Sequence, residues 1–260
     1  MAQGTDETLT LADKHFDMHQ YENAVKLYRR VAFFGDDSLK AYLYPVIARC
    51  YLYSGKYQES IFFYQLASNT ASSDSLINEY TFSRTLCHIL RNELNPALQE
   101  IYSVNTGESL YFTRKYHFFL GVISLKKNEI SRSQLNFLSA SESKDDYDAI
   151  IDAYNEANLH NPDPGTARIL SIFIPGLGQL YSGDQFNAVN SFLLTGGLAF
   201  LMVRMSLQQS ILDAAVSIGP WFQRYYTGGF TRAGEIAVSR QEEKRELLLQ
   251  KLFSIFEVNH

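Results

Sequence analysis

Cysteine, proline and tryptophan are scarce in this 260-residue chain, which has 2 Cys, 6 Pro and 1 Trp. Cys50 and Cys87 have no neighbour at metal-ligand spacing, so we expect no zinc site. A free, buried thiol is the expected state of each, although pairing in an oxidising compartment stays open. The low proline content and the 17 Tyr and 18 Phe favour helices that pack through bulky side chains.

Basic residues are not in excess, since 23 Lys and Arg stand against 28 Asp and Glu. The formal net charge is -5 and the pI is about 5.7, and no dense Lys/Arg run interrupts the acidic background. Nucleic acid is therefore not an expected partner. With 46% hydrophobic residues, the chain has enough apolar side chains for one large globular domain or two ordinary ones.

Catalytic and cofactor motifs are missing as well. No Gly-x-Ser-x-Gly sequence occurs, and the His15/His19 pair lacks the glutamate of a zinc-protease helix. Gly176-x-Gly178 has neither the Lys-[Ser/Thr] of a phosphate-binding loop nor the third glycine of a dinucleotide fold. We therefore predict no enzyme, no catalytic residue, no metal and no cofactor. A hydrolase or transferase would require distant residues to converge on a pocket.

The N-terminal segment carries no signal peptide, because residues 1–7 are polar and acidic. Ala2 and Gln3 are equally compatible with the mature start of an exported chain whose signal has been removed. The sequence leaves these two alternatives open.

Small residues recur with a period of 36 to 37 through the first 145 positions, which indicates a helical repeat. The first set is Ala12, Ala48, Thr85 and Gly121; the second, twelve residues later, is Ala24, Ser60, Ala97 and Ser133; the third, four residues further, is Tyr28, Tyr64, Ile101 and Phe137. The first two sets would let the two helices of a hairpin approach closely.

The unit from Ala48 to Ala67 resembles the tetratricopeptide repeat, because it matches that repeat's small, Gly-x-Tyr, alanine and aromatic positions. The third unit departs from the pattern at Asn92–Pro96, and the fourth has Ile130 where an aromatic residue is usual. The resemblance implies an all-α fold in which residues 5–160 form a solenoid of about four repeats. The amphipathic segment 147–159 would cap it.

A solenoid of this kind would bind its partner in a concave groove. The positions predicted to line the groove are Phe16, Tyr42, Arg49, Tyr53, Phe82, Ile89, Phe118 and Val122. Because most of them are apolar or aromatic, we expect another protein or a hydrophobic peptide as the cargo. The C-terminal region of the same chain could also fill the groove.

The composition changes after residues 161–166, a Pro- and Gly-containing linker. Residues 167–238 are predicted to form a Gly-rich helical hairpin domain, and residues 239–258 an amphipathic C-terminal helix. The apolar stretch from Phe186 to Leu207 reaches the roughly 20 residues that cross a bilayer. A hairpin embedded in a membrane and a buried hairpin of a soluble protein both fit this pattern.

An internal sequence similarity at an offset of 45 residues indicates a second copy of the hairpin unit. Pro175, Tyr181 and Gly183 correspond to Pro220, Tyr226 and Gly228, which predicts a Tyr-[Ser/Thr]-Gly turn in each copy. The tyrosines would lie at helix ends, near a membrane-water boundary. The predicted membrane-hairpin residues are Pro175, Gly176, Gly178, Gln179, Tyr181, Gly183, Tyr226 and Gly228.

The string Pro-Gly-Leu-Gly-Gln-Leu-Tyr-Ser-Gly at residues 175–183 resembles a group of uncharacterised envelope proteins of Bacteroidetes-type bacteria. The resemblance covers about residues 167–238 and implies a membrane-associated, periplasm-facing protein. Together with the repeats it predicts a non-enzymatic scaffold that recruits a protein to a membrane, in envelope-protein assembly, insertion or secretion. The alternative is a soluble all-α interaction protein whose C-terminal helices pack on the solenoid without membrane contact.

Overall fold

The computed structural model describes residues 2–257, and its regular structure within that range is entirely α-helical. This confirms the predicted all-α class. The chain divides into two compact units, with unit 1 ending at Tyr147 and unit 2 beginning at Asp148. The division falls within helix α9 (Lys144–Ala157), in the segment where the sequence predicts a capping helix.

Unit 1 consists of helices that pack on their neighbours in chain order, and α5 also contacts α7. The helices are α1 (Ala2–Asp17), α2 (Tyr21–Phe34), α3 (Asp37–Tyr53), α4 (Tyr57–Asn69), α5 (Asp74–Leu90), α6 (Leu94–Tyr102), α7 (Leu110–Lys126) and α8 (Ile130–Ala140). The recurring arrangement of two helices and a short turn is the helical repeat that the 36–37-residue period predicts.

The repeat positions form the interior of these hairpins. All twelve members of the three recurring sets are buried. Where the second small residue is serine, its hydroxyl also joins the two helices: Ser60 Oγ donates to Ala48 O at 2.8 Å and Ser133 Oγ to Gly121 O at 2.8 Å. Small side chains therefore allow close approach, and the serines keep their own hydroxyl groups hydrogen-bonded in the core.

Each hairpin turn contains one residue with left-handed backbone geometry. The residues are His19, Gly55, Asn92 and Asn128, with φ of 58°, 72°, 60° and 62°. Only Gly55 carries the glycine expected there from the repeat pattern. Asparagine adopts this conformation more easily than most side chains, which explains how the departures from the Gly-x-Tyr pattern keep the same turn.

Unit 2 continues with α10 (Pro164–Phe173), α11 (Leu177–Tyr181), α12 (Gln185–Gln208), α13 (Ile211–Ser217) and α14 (Gly219–Glu257). Helix α10 packs along α14, and the short α11 contacts α10, α12 and α14. The predicted linker 161–166 overlaps the start of α10, where Asp163 accepts a hydrogen bond from the Thr166 backbone at 2.6 Å. Hydrogen bonding of this carboxylate lowers the pKa of Asp163.

The predicted second hairpin is not present. Tyr226 and Gly228 lie inside the continuous helix α14, whereas Gly183 has φ of 82° and follows the end of α11. The Tyr-x-Gly sequence thus forms a turn at residues 181–183 and part of a helix at residues 226–228, because only Gly183 adopts left-handed geometry. Residues 239–257 are likewise the C-terminal part of α14 and not a separate helix, and Val258 lies outside the described residues.

Candidate functional site

Two glycines of the 175–183 motif allow close contacts of α11 with α10 and of the preceding turn with α12. A β-carbon on Gly176, whose φ is 93°, would lie 2.3 Å from the carbonyl oxygen of Ala188 in α12. A β-carbon on Gly178 would lie 1.9 Å from the carbonyl oxygen of Ala167 in α10. Both distances are far below van der Waals contact, so glycine is required at each position. Gly176 and Gly178 thus allow the close packing of neighbouring helices.

Gln179 connects this motif to the rest of the unit. Its side chain is 1% exposed, and its amide nitrogen donates to Gly229 O in α14 at 2.8 Å. Its amide oxygen accepts from Ser171 Oγ in α10 at 2.9 Å, and the same serine oxygen accepts from Gly178 N at 3.0 Å. A buried polar network of this kind fixes one arrangement of the helices, because leaving any member unpaired is costly.

The two motif tyrosines make hydrogen bonds within unit 2. Tyr181 Oη accepts from Asp163 N and donates to Asn161 Oδ1, both at 3.2 Å. Tyr226 Oη donates to Ile172 O at 2.8 Å. Tyr181 ends α11, as expected of a residue at a helix end, while Tyr226 lies within α14.

A large apolar surface is the other main feature of unit 2. Helix α12 is long and apolar enough to cross a membrane by length and composition, and only 11% of its most apolar window is buried. Large exposed apolar side chains continue onto α10, α13 and α14. They include Phe173, Phe186, Leu193, Phe200, Leu207, Ile211, Leu212, Val216 and Trp221. We call this set the apolar surface; exposed apolar side chains in such number mark surfaces that contact a membrane or another protein.

In unit 1, three of the predicted groove residues share one face of α3. Tyr42, Arg49 and Tyr53 are spaced seven and four residues apart and are all exposed. Tyr53 also packs against Phe16, with ring centroids 6.3 Å apart, and against Tyr21 at 5.3 Å. Tyr21 also belongs to this aromatic cluster. The sequence pattern assigned it no partner-binding role, because it occupies the turn position of the repeat.

The other predicted groove residues lie elsewhere. Phe82, Ile89 and Val122 are buried, so these three are core residues and not part of an accessible groove. Phe82 packs between Phe112 and Phe119 at ring-centroid distances of 6.3 and 5.4 Å. Phe118 is half-buried and meets Phe137 edge-on at 5.7 Å. The predicted positions lie on helices that contact other helices on more than one face. Apolar character alone does not tell which face is covered by a neighbouring helix and which is accessible to a partner.

Burial shifts the pKa values of several cysteine and tyrosine side chains in unit 1. Cys50 and Cys87 are free and buried, and burial raises the pKa of the Cys50 thiol to about 12. Burial likewise raises the pKa of Tyr64 to about 12. Within residues 2–257, no group of three or more His, Cys, Asp or Glu side chains is placed to hold a metal ion.

Comparison of the chain with protein-family models, with curated proteins and with solved structures gives no match in any of the three.

Proposed function

We propose that this chain is a non-enzymatic scaffold of the bacterial cell envelope, in which unit 2 attaches to a membrane and the helical repeats of unit 1 recruit a protein or peptide. The single observation that carries the proposal is the apolar surface of unit 2. Burying it in lipid would remove a large apolar area from water, at about 25 cal/mol per Å².

The attachment is best described as an embedded or peripheral hairpin domain. Helix α12 has 24 residues, enough to span a hydrocarbon core of about 30 Å. The buried network around Gln179 ties α11 to α10 and α14, and Gly176 packs against Ala188 O near the N-terminal end of α12. Arg204, four residues before the end of α12, could extend its guanidinium group to the interface.

The recruiting surface would be the α3 face formed by Tyr42, Arg49 and Tyr53, together with Phe16. In the tetratricopeptide solenoid that unit 1 resembles, stacked hairpins present such side chains on a rigid frame. Exposed tyrosine and arginine side chains are frequent anchors in protein interfaces. Envelope-protein assembly, insertion or secretion is the setting that the sequence resemblance suggests.

Membrane attachment is tested with charges placed on the apolar surface. Leu193 and Phe200 are exposed and lie two helical turns apart on α12. An arginine near the centre of a spanning helix costs roughly 2.5–3.5 kcal/mol. Leu193→Arg plus Phe200→Arg is therefore expected to reduce recovery of the full chain with floated liposomes at least tenfold.

The matched control is Phe33→Arg plus Phe62→Arg, two exposed aromatic positions of unit 1. It adds the same charge and should leave flotation unchanged. Recovery of the unaltered full chain in the soluble fraction without detergent would refute membrane attachment and favour the soluble interaction protein.

Partner recruitment is tested with Tyr42→Ala plus Tyr53→Ala in a detergent pull-down of the full chain. We expect this double variant to lose capture of a specific partner. Because both side chains are exposed, their truncation should not unfold unit 1. Phe33→Ala plus Phe62→Ala serves as the control with two exposed aromatics removed from other helices. Equal capture by both double variants would refute the α3 face as the recognition surface.

A further inference from the structure

A cleft between α12 and α14 is not explained by the apolar surface or by the packing of the hairpin. Its volume is about 250 Å³. Asn190, Ser191 and Thr195 contribute to its wall from α12, and Arg224, Tyr225 and Arg232 contribute from α14. Hydrogen-bonding side chains from both helices therefore line one cleft.

The charge of the cleft is positive. Arg224 and Arg232 line it, and no Asp or Glu does. Arg224 is exposed and makes no ion pair with any described residue. Arg232 Nη1 lies 3.2 Å from Glu235 Oε2, but both side chains are exposed and such a pair is weak. Arg232 also lines a second cleft together with Asp184, whose carboxylate accepts hydrogen bonds from Asn187 N at 3.0 Å and Asn187 Nδ2 at 2.7 Å.

Two hydroxyl groups on the cleft wall are left without a partner. Ser191 Oγ and Thr195 Oγ1 are buried and make no hydrogen bond, and Thr195 is 2% exposed. Serine and threonine within helices commonly donate to the carbonyl four residues earlier. Ser206 does so in the same helix, donating to Met202 O at 2.8 Å. The two hydroxyls of the cleft are thus unsatisfied donors in a place where an unpaired polar group is costly.

The geometry points to a binding site for a phosphate-class oxyanion in this cleft, with Arg224 and Arg232 supplying the charge. Ser191 and Thr195 supply hydroxyl donors from the facing helix. An oxyanion accepts several hydrogen bonds at once and is held most strongly by guanidinium groups. The phosphate is either free or part of a lipid headgroup. The inference does not rest on membrane attachment, since the free anion requires no bilayer.

The first test titrates inorganic phosphate into the full chain in a non-ionic detergent at constant ionic strength. Binding is followed by calorimetry and by the fluorescence of Trp221, which lies three residues before Arg224. We expect saturable binding that Arg224→Gln and Arg232→Gln each weaken about tenfold or more, because a charged hydrogen bond contributes roughly 1.5–3 kcal/mol. Arg204→Gln removes the same charge from α12 outside the cleft and should bind phosphate as before.

Thr195→Val distinguishes specific phosphate binding in the cleft from non-specific attraction of phosphate to positive charge. The substitution keeps the side-chain shape and all charges, and it removes one donor from the cleft wall. We expect it to weaken phosphate binding severalfold while thermal unfolding without phosphate is unchanged or shifted upward. Thermal unfolding of every arginine variant checks that loss of binding is not loss of folding.

The second test identifies the source of the phosphate with vesicles of phosphatidylcholine, with or without phosphatidic acid. If a lipid headgroup is the ligand, flotation should increase with phosphatidic acid, and Arg224→Gln plus Arg232→Gln should abolish the increase. If free phosphate is the ligand, inorganic phosphate should bind and vesicle composition should have no effect. Absence of both responses, or an equal loss with Arg204→Gln, would overturn the proposal.

Discussion

Replacement of Gly178 by alanine is expected to destabilise unit 2 by about 1–5 kcal/mol. The new β-carbon would lie 1.9 Å from Ala167 O and 2.5 Å from Ser171 Oγ, and real β-carbons essentially never approach other atoms closer than 3.0 Å. Helices α10 and α11 must therefore separate by about 1 Å or more, the difference between 3.0 and 1.9 Å.

The cost has two parts. Overpacking a tight contact typically costs about 1–3 kcal/mol, occasionally more. Separation of the helices also weakens the hydrogen bond from Gly178 N to Ser171 Oγ and the support it gives to Gln179, and an unsatisfied buried amide costs roughly 1–3 kcal/mol. The higher helix propensity of alanine offsets up to about 1 kcal/mol of this destabilisation.

Gly196→Ala is the matched control for this substitution. Gly196 lies within α12, and a β-carbon there meets nothing within 4 Å. It is expected to leave stability unchanged or to raise it by up to about 1 kcal/mol. Urea unfolding of the full chain in mild detergent, followed through the single tryptophan, Trp221, measures both variants. Stabilities within about 0.5 kcal/mol of each other would refute the close-packing argument.

Three further outcomes are expected in unit 1. Asn128→Ala, at φ of 62°, should lower the unfolding free energy by about 1 kcal/mol, whereas Asn128→Gly should not; equal effects in urea unfolding would contradict the left-handed turn. Burial raises the pKa of Cys50 from 9.0 to about 12 and also raises the pKa of Cys87. The stability that the two buried, neutral thiols contribute is therefore present below pH 9 and is lost as the pH rises toward 12. Mass spectrometry should accordingly find both thiols unalkylated at pH 8.5 until urea is added, and labelling of the native chain would count against their burial. Glu100→Gln should destabilise the unit by about 1–3 kcal/mol, since the buried guanidinium of Arg84 lies 2.9 Å from Glu100 Oε2; an unchanged unfolding midpoint would show that the pair contributes nothing.

The helical repeat of unit 1 could be predicted because its physical basis is local and periodic. Small residues such as Ala48 and Ser60 are needed wherever two helices of a hairpin approach, so their spacing repeats with the hairpin. The left-handed turn residues follow the same period but differ in type. The third unit therefore departs from the Gly-x-Tyr pattern at Asn92, although the backbone there is left-handed as at Gly55.

The accessible part of the candidate groove could not be predicted from the same pattern. Tyr53 and Phe82 are both aromatic residues on the first helix of a hairpin, yet Tyr53 is exposed and Phe82 is enclosed by Phe112 and Phe119. Which side of a helix is covered depends on neighbours that come from later in the chain. Residue type and helical spacing do not contain that information.

The sequence by itself determined the helical class and the period of the repeat, because these follow from local propensity and short-range spacing. Only the tertiary structure decided that Tyr181 and Tyr226 occupy different local structures, since a glycine ends a helix only where the surrounding packing holds it in left-handed geometry, as at Gly183. It also brought Arg224 and Thr195 to one cleft. Residues on separate helices meet there through packing, which no single stretch of sequence specifies.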